Sequence, residues 1–329
     1  MATTDLFQQV HWSEQPEYAS PFWLWMFRLG FKIFPIWFLR LLTFVVTIPY
    51  YLTAKKPRAL TRQFLERAAK TLNQEGIPFK PRVFRLFWAF ALTILEKVEV
   101  WKGRVGFNRI HFQEDDIQDL IQNLEEGRGA LLICSHLGNY ELLRGLAFFN
   151  RTGVSRKIPV TSIADFSVMP SFSGMLQKMN PESMTRLISA NAIGPETIIF
   201  LQERIASGEL VVIAGDRTSA NTRDKYFLFP FLGEEAPFPV GPFFLAALLQ
   251  GPAYFVYALR RKDVSLSSEY NMHVHKSPFS FACPRKERNR RVKELARQFA
   301  HQLEYYCKQY PHQWYNFYDF WAKPEGDPW

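Results

Sequence analysis

Residues 129–141 read GALLICSHLGNYE and contain the clearest sign of the fold class in the sequence. Its first half is a short apolar run between glycine and a polar loop, which is typical of a strand buried on both faces. Its second half carries His136 and leads into a run that can form a helix from about Asn139. A buried strand followed by a loop and a helix is one unit of a parallel α/β sheet.

Similar units follow along the chain. We expect strands over 129–135, 158–163, 210–214, 253–259 and 269–275, and helices over 195–206, 241–250 and 286–309. Alternating strands and helices predict an α/β fold, in which helices flank a central, mostly parallel sheet.

The residues before this region favour helices and a membrane. Segment 21–54 is rich in aromatic and aliphatic residues, but Arg28, Lys32 and Arg40 interrupt it. We therefore expect it to be embedded without clearly spanning, although a hairpin buried against the protein also fits. Helices over 59–75, 83–101 and 114–126 follow. The pattern predicts an apolar helical membrane-associating region, residues 1–110, and an α/β domain, residues 111–329.

Charge and composition narrow the possible partners. The 329-residue chain has a formal net charge of +9, which suits an anionic membrane surface or nucleic acid. The aromatic residues crowd the apolar N-terminus and do not interleave with the basic run 285–291, so we expect no nucleic acid partner.

Residues 1–20 lack a basic start, so we expect no cleaved secretory signal. The three cysteines have no paired spacing, and we expect no metal site, because His273 and His275 lack a nearby carboxylate or cysteine.

His136 is the best candidate for catalysis, because it follows a parallel strand at the end where α/β sheets bind ligands. Residues five apart on one helix point about 140° away from each other, so His136 can meet Glu141 only from the preceding loop. In that geometry Glu141 accepts a hydrogen bond from one imidazole nitrogen. The other nitrogen is then free to act as a general base.

The order of motifs resembles the lauroyl and myristoyl acyltransferases of late lipid A synthesis, within the lysophospholipid acyltransferase superfamily. HLGNYE at 136–141 is similar to that superfamily's histidine-x4-acid motif. In order come VIAGDR at 212–217, FLG at 231–233, FPVGP at 238–242 and YPHQWY at 310–315. The resemblance covers roughly residues 120–321. Gly215-Asp216-Arg217 departs from the Asp-Gln-Asp pattern of many members, so the acceptor is not fixed as a lipid A precursor.

The resemblance implies a bacterial enzyme at the cytoplasmic face of the inner membrane. Its partners would be an acyl carrier protein or coenzyme A thioester as acyl donor, a lipid acceptor and the membrane surface, with no further cofactor. His136 would remove a proton from a hydroxyl or amine of the acceptor, which then attacks the thioester. Glu141 would stabilise the resulting imidazolium.

Further residues are candidates for binding substrate. The backbone N–H groups of Gly138 and Asn139, or a guanidinium from Arg186 or Arg217, could stabilise the tetrahedral oxyanion. Arg217 could instead bind an acceptor phosphate or carboxylate that Asp216 helps to orient. An internal salt bridge of Asp216 and Arg217 is the alternative.

Two other functions stay open. Cys134 lies two residues before His136, so a Cys134-His136-Glu141 thioesterase or hydrolase that forms an acyl-enzyme must be considered. A catalytically inactive membrane protein that binds lipid with the same fold is the second alternative.

Overall fold

A computed structural model describes residues 25, 29–113, 116–149, 153–164, 186–217, 224–279, 284–324 and 326–329. The helices are α1 Ile36–Thr53, α2 Lys55–Gln74, α3 Val83–Trp101, α4 Ile117–Glu125, α5 Glu141–Phe148, α6 Pro195–Ala206, α7 Gly241–Leu249 and α8 Arg285–Gln309. The strands are β1 Ile110–Phe112, β2 Ala130–Cys134, β3 Val160–Ala164, β4 Leu187–Ser189, β5 Leu210–Ala214, β6 Tyr226–Phe231, β7 Glu234–Pro239, β8 Ala253–Arg260 and β9 Tyr270–Lys276.

Seven of these strands form one mixed sheet in the order β1-β9-β8-β2-β5-β3-β4. The neighbours pair in parallel except β8 and β9, which are antiparallel. The predicted α/β class with a mostly parallel sheet is therefore confirmed. Strand β2 lies between β8 and β5, so its carboxyl end opens between two other parallel strand ends.

Strand β2 is fully buried because both of its faces are apolar. Leu131 and Ile133 belong to a core that also contains residues of α6, α7 and α8. Leu132 and Cys134 point to the other face, where the core includes residues of α4 and α5. This alternation follows from the two-residue period of a strand. It explains why ALLIC reads as a continuous apolar run in a sheet covered on both sides.

Several elements were not anticipated from the sequence. Strands β1 and β4 have three residues each, which is too short for a periodic signal. Strands β6 and β7 form a separate antiparallel hairpin, and their internal prolines hide the strand pattern. Leu232 and Gly233 both have positive φ, 53° and 83°, as a tight two-residue hairpin turn requires. The predicted helix over 114–126 is seen from Ile117, and residues 114–115 lie outside the described part.

The N-terminal helices pack on the sheet. Phe64 of α2 and Phe87 of α3 belong to the same core as Leu131 of β2. Helix α1 packs on α3, and the buried Arg40 guanidinium forms an ion pair of 2.6 Å with Glu99. The division of the chain at residue 110 stays a prediction.

Helix α1 buries Leu39 together with two polar residues and exposes most of its other apolar side chains. Arg40 and Thr47 are buried, whereas the exposed apolar side chains are Trp37, Leu41, Leu42, Phe44, Val45, Val46, Ile48 and Leu52. In length and apolar composition, α1 alone among the described helices could cross a membrane. Of the apolar segment 21–54, residues 21–24 and 26–28 lie outside the described part.

Candidate functional site

His136 lies in the loop between β2 and α5, as the strand-loop-helix pattern predicts. Gly138 makes the turn with φ of +77°, a backbone region that favours glycine. A Cβ at this position would lie 2.1 Å from the carbonyl oxygen of Ala258 in β8, so the loop approaches that strand too closely for a side chain. The Tyr315 N–H donates to the His136 carbonyl at 3.2 Å, which ties the loop to the C-terminal segment.

The imidazole of His136 pairs with Asp216. Nδ1 of His136 lies 2.8 Å from Oδ1 of Asp216, at the end of the neighbouring strand β5. The other carboxylate oxygen, Oδ2, accepts from the His136 backbone N–H at 2.8 Å and from Trp314 Nε1 at 3.1 Å. Three donors therefore hold a carboxylate that is only 2% exposed. The His136 side chain is 22% exposed, and Nε2 has no hydrogen-bond partner within the described residues.

The pairing of His136 with Glu141 that the sequence suggested is wrong in this structure. Glu141 opens α5, and its carboxylate accepts from Arg144 Nη1 at 3.1 and 3.3 Å. Arg144 is also buried and lies over the ring of Trp101. The ion pair with Arg144, one helical turn further along α5, provides hydrogen-bond donors to the Glu141 carboxylate. The hydrogen-bond partner of the imidazole Nδ1 is Asp216.

The two backbone N–H groups expected to bind an oxyanion are already used. The Gly138 N–H donates to the Gln313 carbonyl at 2.9 Å, and the Asn139 N–H donates to the Ala258 carbonyl at 2.8 Å. The Asn139 side chain is fully buried and donates to the Tyr270 hydroxyl at 3.3 Å. The N–H groups of Gly138 and Asn139 therefore fix the loop and are not free for an oxyanion in this structure, and binding of substrate by these two residues stays a prediction.

The electrostatic surroundings favour a neutral imidazole beside an ionised carboxylate. Burial lowers the pKa of His136, and the nearby Arg217 lowers it further, although Asp216 opposes both. Burial tends to raise the pKa of Asp216, but His136 and Arg217 outweigh burial and hold that pKa below its usual range. A neutral imidazole whose Nδ1–H donates to a carboxylate leaves a lone pair on Nε2, as a general base requires.

With this geometry established, the comparison with family models decides the class of protein. The model of the bacterial lipid A biosynthesis acyltransferases matches residues 83–323. The chain belongs to this family. The comparison with curated proteins found no match. The protein is thus an acyltransferase family member that acts on lipid, and the matched range contains His136, Asp216 and the C-terminal segment around Trp314.

Arg186 of this acyltransferase lies away from the site, contrary to expectation. Its Nη1 donates to Glu209 Oε2 at 2.6 Å. Glu209 precedes the five-residue strand β5 and Asp216 lies two residues beyond its end, so they are seven positions apart along nearly extended chain, about 20 Å. Arg186 therefore stabilises the amino end of the sheet, and its proposed contact with substrate at the carboxyl end is wrong.

Arg217 does border the site. Its Nη2 donates to the Tyr315 carbonyl at 2.9 Å, and its guanidinium lies 5.5 Å from the Tyr318 ring centroid. It is close enough to shift the pKa of His136. Binding of substrate by Arg217 and its alternative role as an ion-pair partner of Asp216 both stay proposals.

The structure shows the surroundings of Cys134, considered above as a nucleophile, and of His273 and His275, considered above as metal ligands. Cys134 is 1% exposed, and burial raises the pKa of its thiol, with Asp216 and Glu141 adding to the effect. A thiolate nucleophile needs the opposite environment. His275 Nε2 bonds the Tyr306 hydroxyl at 2.7 Å, and the His273 ring packs against the same tyrosine.

Two residues of the site were missed by sequence reasoning. Trp314 donates a hydrogen bond to Asp216 and packs edge-to-face on Phe64 of α2. The YPHQWY block at 310–315 marked this segment in the sequence, but its role at the site could not be inferred from it. Lys97 of α3 faces Tyr140, whose ring in turn lies edge-on to His136. No local pattern links a lysine in an apolar helix to a loop 39 residues later in the chain.

Proposed function

We propose that this protein transfers a fatty acyl group from a carrier thioester to a hydroxyl or amine of a lipid acceptor, with His136 as general base and Asp216 as its partner. The His136–Asp216 hydrogen bond of 2.8 Å at the carboxyl end of the parallel sheet carries this proposal. It replaces Glu141 by Asp216 as the group that orients the imidazole.

The reaction follows from the state of the two side chains. Nε2 of His136 takes the proton of the acceptor hydroxyl or amine while the acceptor atom attacks the thioester carbonyl carbon. The carbonyl π electrons move to oxygen and form a tetrahedral oxyanion. When the carbonyl re-forms, the C–S bond breaks, and the imidazolium returns its proton to the leaving thiolate. The products are an ester or amide and a free thiol, and Asp216 stays ionised to stabilise the imidazolium.

An acyl carrier protein is the donor that the surface charge favours. Lys286, Arg290, Lys293 and Arg297 recur every three or four residues of α8 and are all exposed, so they form one basic stripe on the helix. Carrier proteins of this kind are acidic, and opposite charges across an interface speed association. Coenzyme A thioesters stay the alternative donor, and a side-by-side assay separates them.

The membrane contact fits α1. A helix of 18 residues is about 27 Å long, which is shorter than most spanning helices. Its inward Arg40 is fixed to Glu99, and its outward apolar residues are between 36% and 61% exposed. We infer that α1 lies in the cytoplasmic face of the inner membrane with its apolar side in lipid, so that the acceptor reaches the carboxyl end of the parallel strands from the bilayer.

The alternatives have less support. A hydrolase that uses Cys134 needs a reactive thiolate, and the thiol is buried in the core. An inactive lipid-binding protein does not need a neutral imidazole held by an ionised aspartate. A test of transfer by the purified protein distinguishes it from an enzyme.

The test compares purified wild-type protein with His136→Ala, using one acyl carrier protein thioester, the matching coenzyme A thioester and a lipid extract as acceptor. We expect His136→Ala to lower the transfer rate by about 10²- to 10⁴-fold. His111→Ala is the matched control, because the His111 side chain is 42% exposed and its Nε2 lies 3.6 Å from Glu269 Oε2, which is 45% exposed. Near-normal transfer by folded His136→Ala protein would contradict the mechanism. Lipid profiles of cells with and without the gene then identify the acceptor.

A further inference from the structure

Lys97 of α3 lies beside the proposed base. Its Nζ is 5.0 Å from the centroid of the Tyr140 ring. That ring lies edge-on to the imidazole of His136, with 5.6 Å between centroids. The three side chains therefore form a row that ends at the partly exposed His136, although Lys97 comes from a helix outside the strand-loop-helix motif.

The Lys97 ammonium has no anionic partner within the described part of the chain. Glu141, the carboxylate that raises the pKa of Lys97, is occupied because it accepts from Arg144, and the Asp216 carboxylate accepts from His136. The acids on the same helix are occupied as well: Glu96 pairs with Arg260, and Glu99 pairs with Arg40. The contact that remains to Lys97 is the face of Tyr140.

The charges around this ammonium are unbalanced. Lys97 is half-buried, and burial lowers its pKa; Arg217 and Arg144 lower it further, and only Glu141 opposes them. Removing a cation from water without a counter-ion costs free energy, and a cation–π contact offsets only part of that cost. A lysine in a structural role would normally extend to bulk solvent or to an acid. Its position beside Tyr140 and His136 instead favours an anion that arrives with the substrate.

We propose that Lys97 binds a negatively charged oxygen of the substrate next to His136, a role that rests on the proposed acyl transfer. This oxygen belongs either to the tetrahedral oxyanion or to a phosphate or carboxylate of the lipid acceptor. Both have the same chemistry, because a lysine ammonium donates to anionic oxygen from a flexible chain. Because the Gly138 and Asn139 N–H groups bond to carbonyls of the protein, stabilising the oxyanion requires another donor, and a side-chain cation at this position can provide it.

Steady-state kinetics at varied acceptor concentration separate the two sources. If Lys97 stabilises the oxyanion, Lys97→Gln is expected to lower kcat by about 10²-fold or more with little change in the acceptor KM. If it binds an acceptor anion, the acceptor KM is expected to rise by about 10- to 100-fold with kcat retained. Lys97→Arg keeps the charge and should recover part of the loss in either case.

Lys102→Gln is the matched control. Lys102 follows the end of the same helix, and its ammonium lies 4.7 Å from the Phe31 ring centroid, so it has the same kind of aromatic contact away from His136. We expect its kinetics to match the wild type. A second readout needs no turnover: inorganic phosphate should raise the Tm of the wild type and of Lys102→Gln, but not of Lys97→Gln.

The inference is overturned if folded Lys97→Gln has wild-type kcat and acceptor KM, or if phosphate raises its Tm as it does for the wild type. A Lys97→Gln protein that only melts earlier, with unchanged kinetics, assigns the residue to packing and also overturns it. These outcomes differ from failure of the proposed function, in which His136→Ala retains transfer while the phosphate effect on Tm still depends on Lys97.

Discussion

Asp216→Asn tests the mechanism most directly, because the structure fixes how an amide must sit at this position. Oδ2 of Asp216 accepts from two donors, the His136 backbone N–H at 2.8 Å and Trp314 Nε1 at 3.1 Å. An asparagine must keep its oxygen there, since an NH₂ group would face two donors. Its NH₂ group then lies at the Oδ1 position, 2.8 Å from His136 Nδ1.

This orientation reverses the hydrogen bond to the imidazole. The amide NH₂ donates to Nδ1, so Nδ1 becomes an acceptor and the ring proton moves to Nε2. Nε2 then has no lone pair with which to take the acceptor proton. The imidazolium also loses its neighbouring negative charge. We expect kcat to fall by about 10²- to 10⁴-fold, which is about 3 to 5 kcal/mol of transition-state stabilisation.

The assay is steady-state acyl transfer with a defined thioester donor, measured beside near-UV circular dichroism and Tm. The fold should survive, because the two hydrogen bonds to Oδ2 remain. Glu141→Gln is the comparison, since Glu141 bonds Arg144 and not the imidazole; we expect its loss to be about tenfold or less. The reasoning is refuted if folded Asp216→Asn turns over within about threefold of the wild type, or if Glu141→Gln is the more damaging change.

Further predictions concern the acid limb, the thiol, the donor surface and the membrane helix. Because burial and Arg217 lower the pKa of His136, the base stays neutral below its ordinary value of about 6.5, so the acid limb of a pH profile of kcat/KM should lie below that pH. Cys134→Ala should keep transfer activity, and an acyl mass shift on Cys134 in the intact protein would contradict this. Lys293→Glu on the basic stripe of α8 should raise KM for an acyl carrier protein donor by about tenfold at low salt but leave KM for coenzyme A thioesters unchanged, whereas Lys70→Glu on α2 should change neither. Val45→Glu on the outward face of α1 should weaken liposome binding, and a liposome flotation assay that shows equal binding would be evidence against that face.

Much of the fold could be predicted because it depends on short-range patterns. An apolar run such as ALLIC at 130–134 indicates a strand that is buried on both faces. The four-residue spacing of apolar residues in α2 indicates a helix with one buried side, formed by Leu60, Phe64, Ala68 and Leu72. His136 was predicted at a strand end for the same reason. The hairpin of β6 and β7 was missed because prolines interrupt its alternation.

The site depended on contacts that no local pattern encodes. Cys134 of β2 pairs in register with Ala214 of β5, so the residues two positions further, His136 and Asp216, stand opposite each other. A different register between β2 and β5 would have placed another residue opposite His136, and the sequence within each strand does not specify the register. The sequence instead suggested Glu141, the acid nearest along the chain, which the structure pairs with Arg144.

The sequence by itself thus determined the class of fold, the strand-loop-helix that presents His136 and the apolar helix α1, because each follows from the periodicity of neighbouring residues. Three features follow from tertiary contacts alone: the acid that holds the imidazole, the hydrogen bonds of the Gly138 and Asn139 N–H groups within the protein, and the contact of Lys97 with Tyr140. These contacts join residues from different strands and helices. Their energy comes from pairing buried polar groups, and which groups are buried together is set by how the whole chain packs.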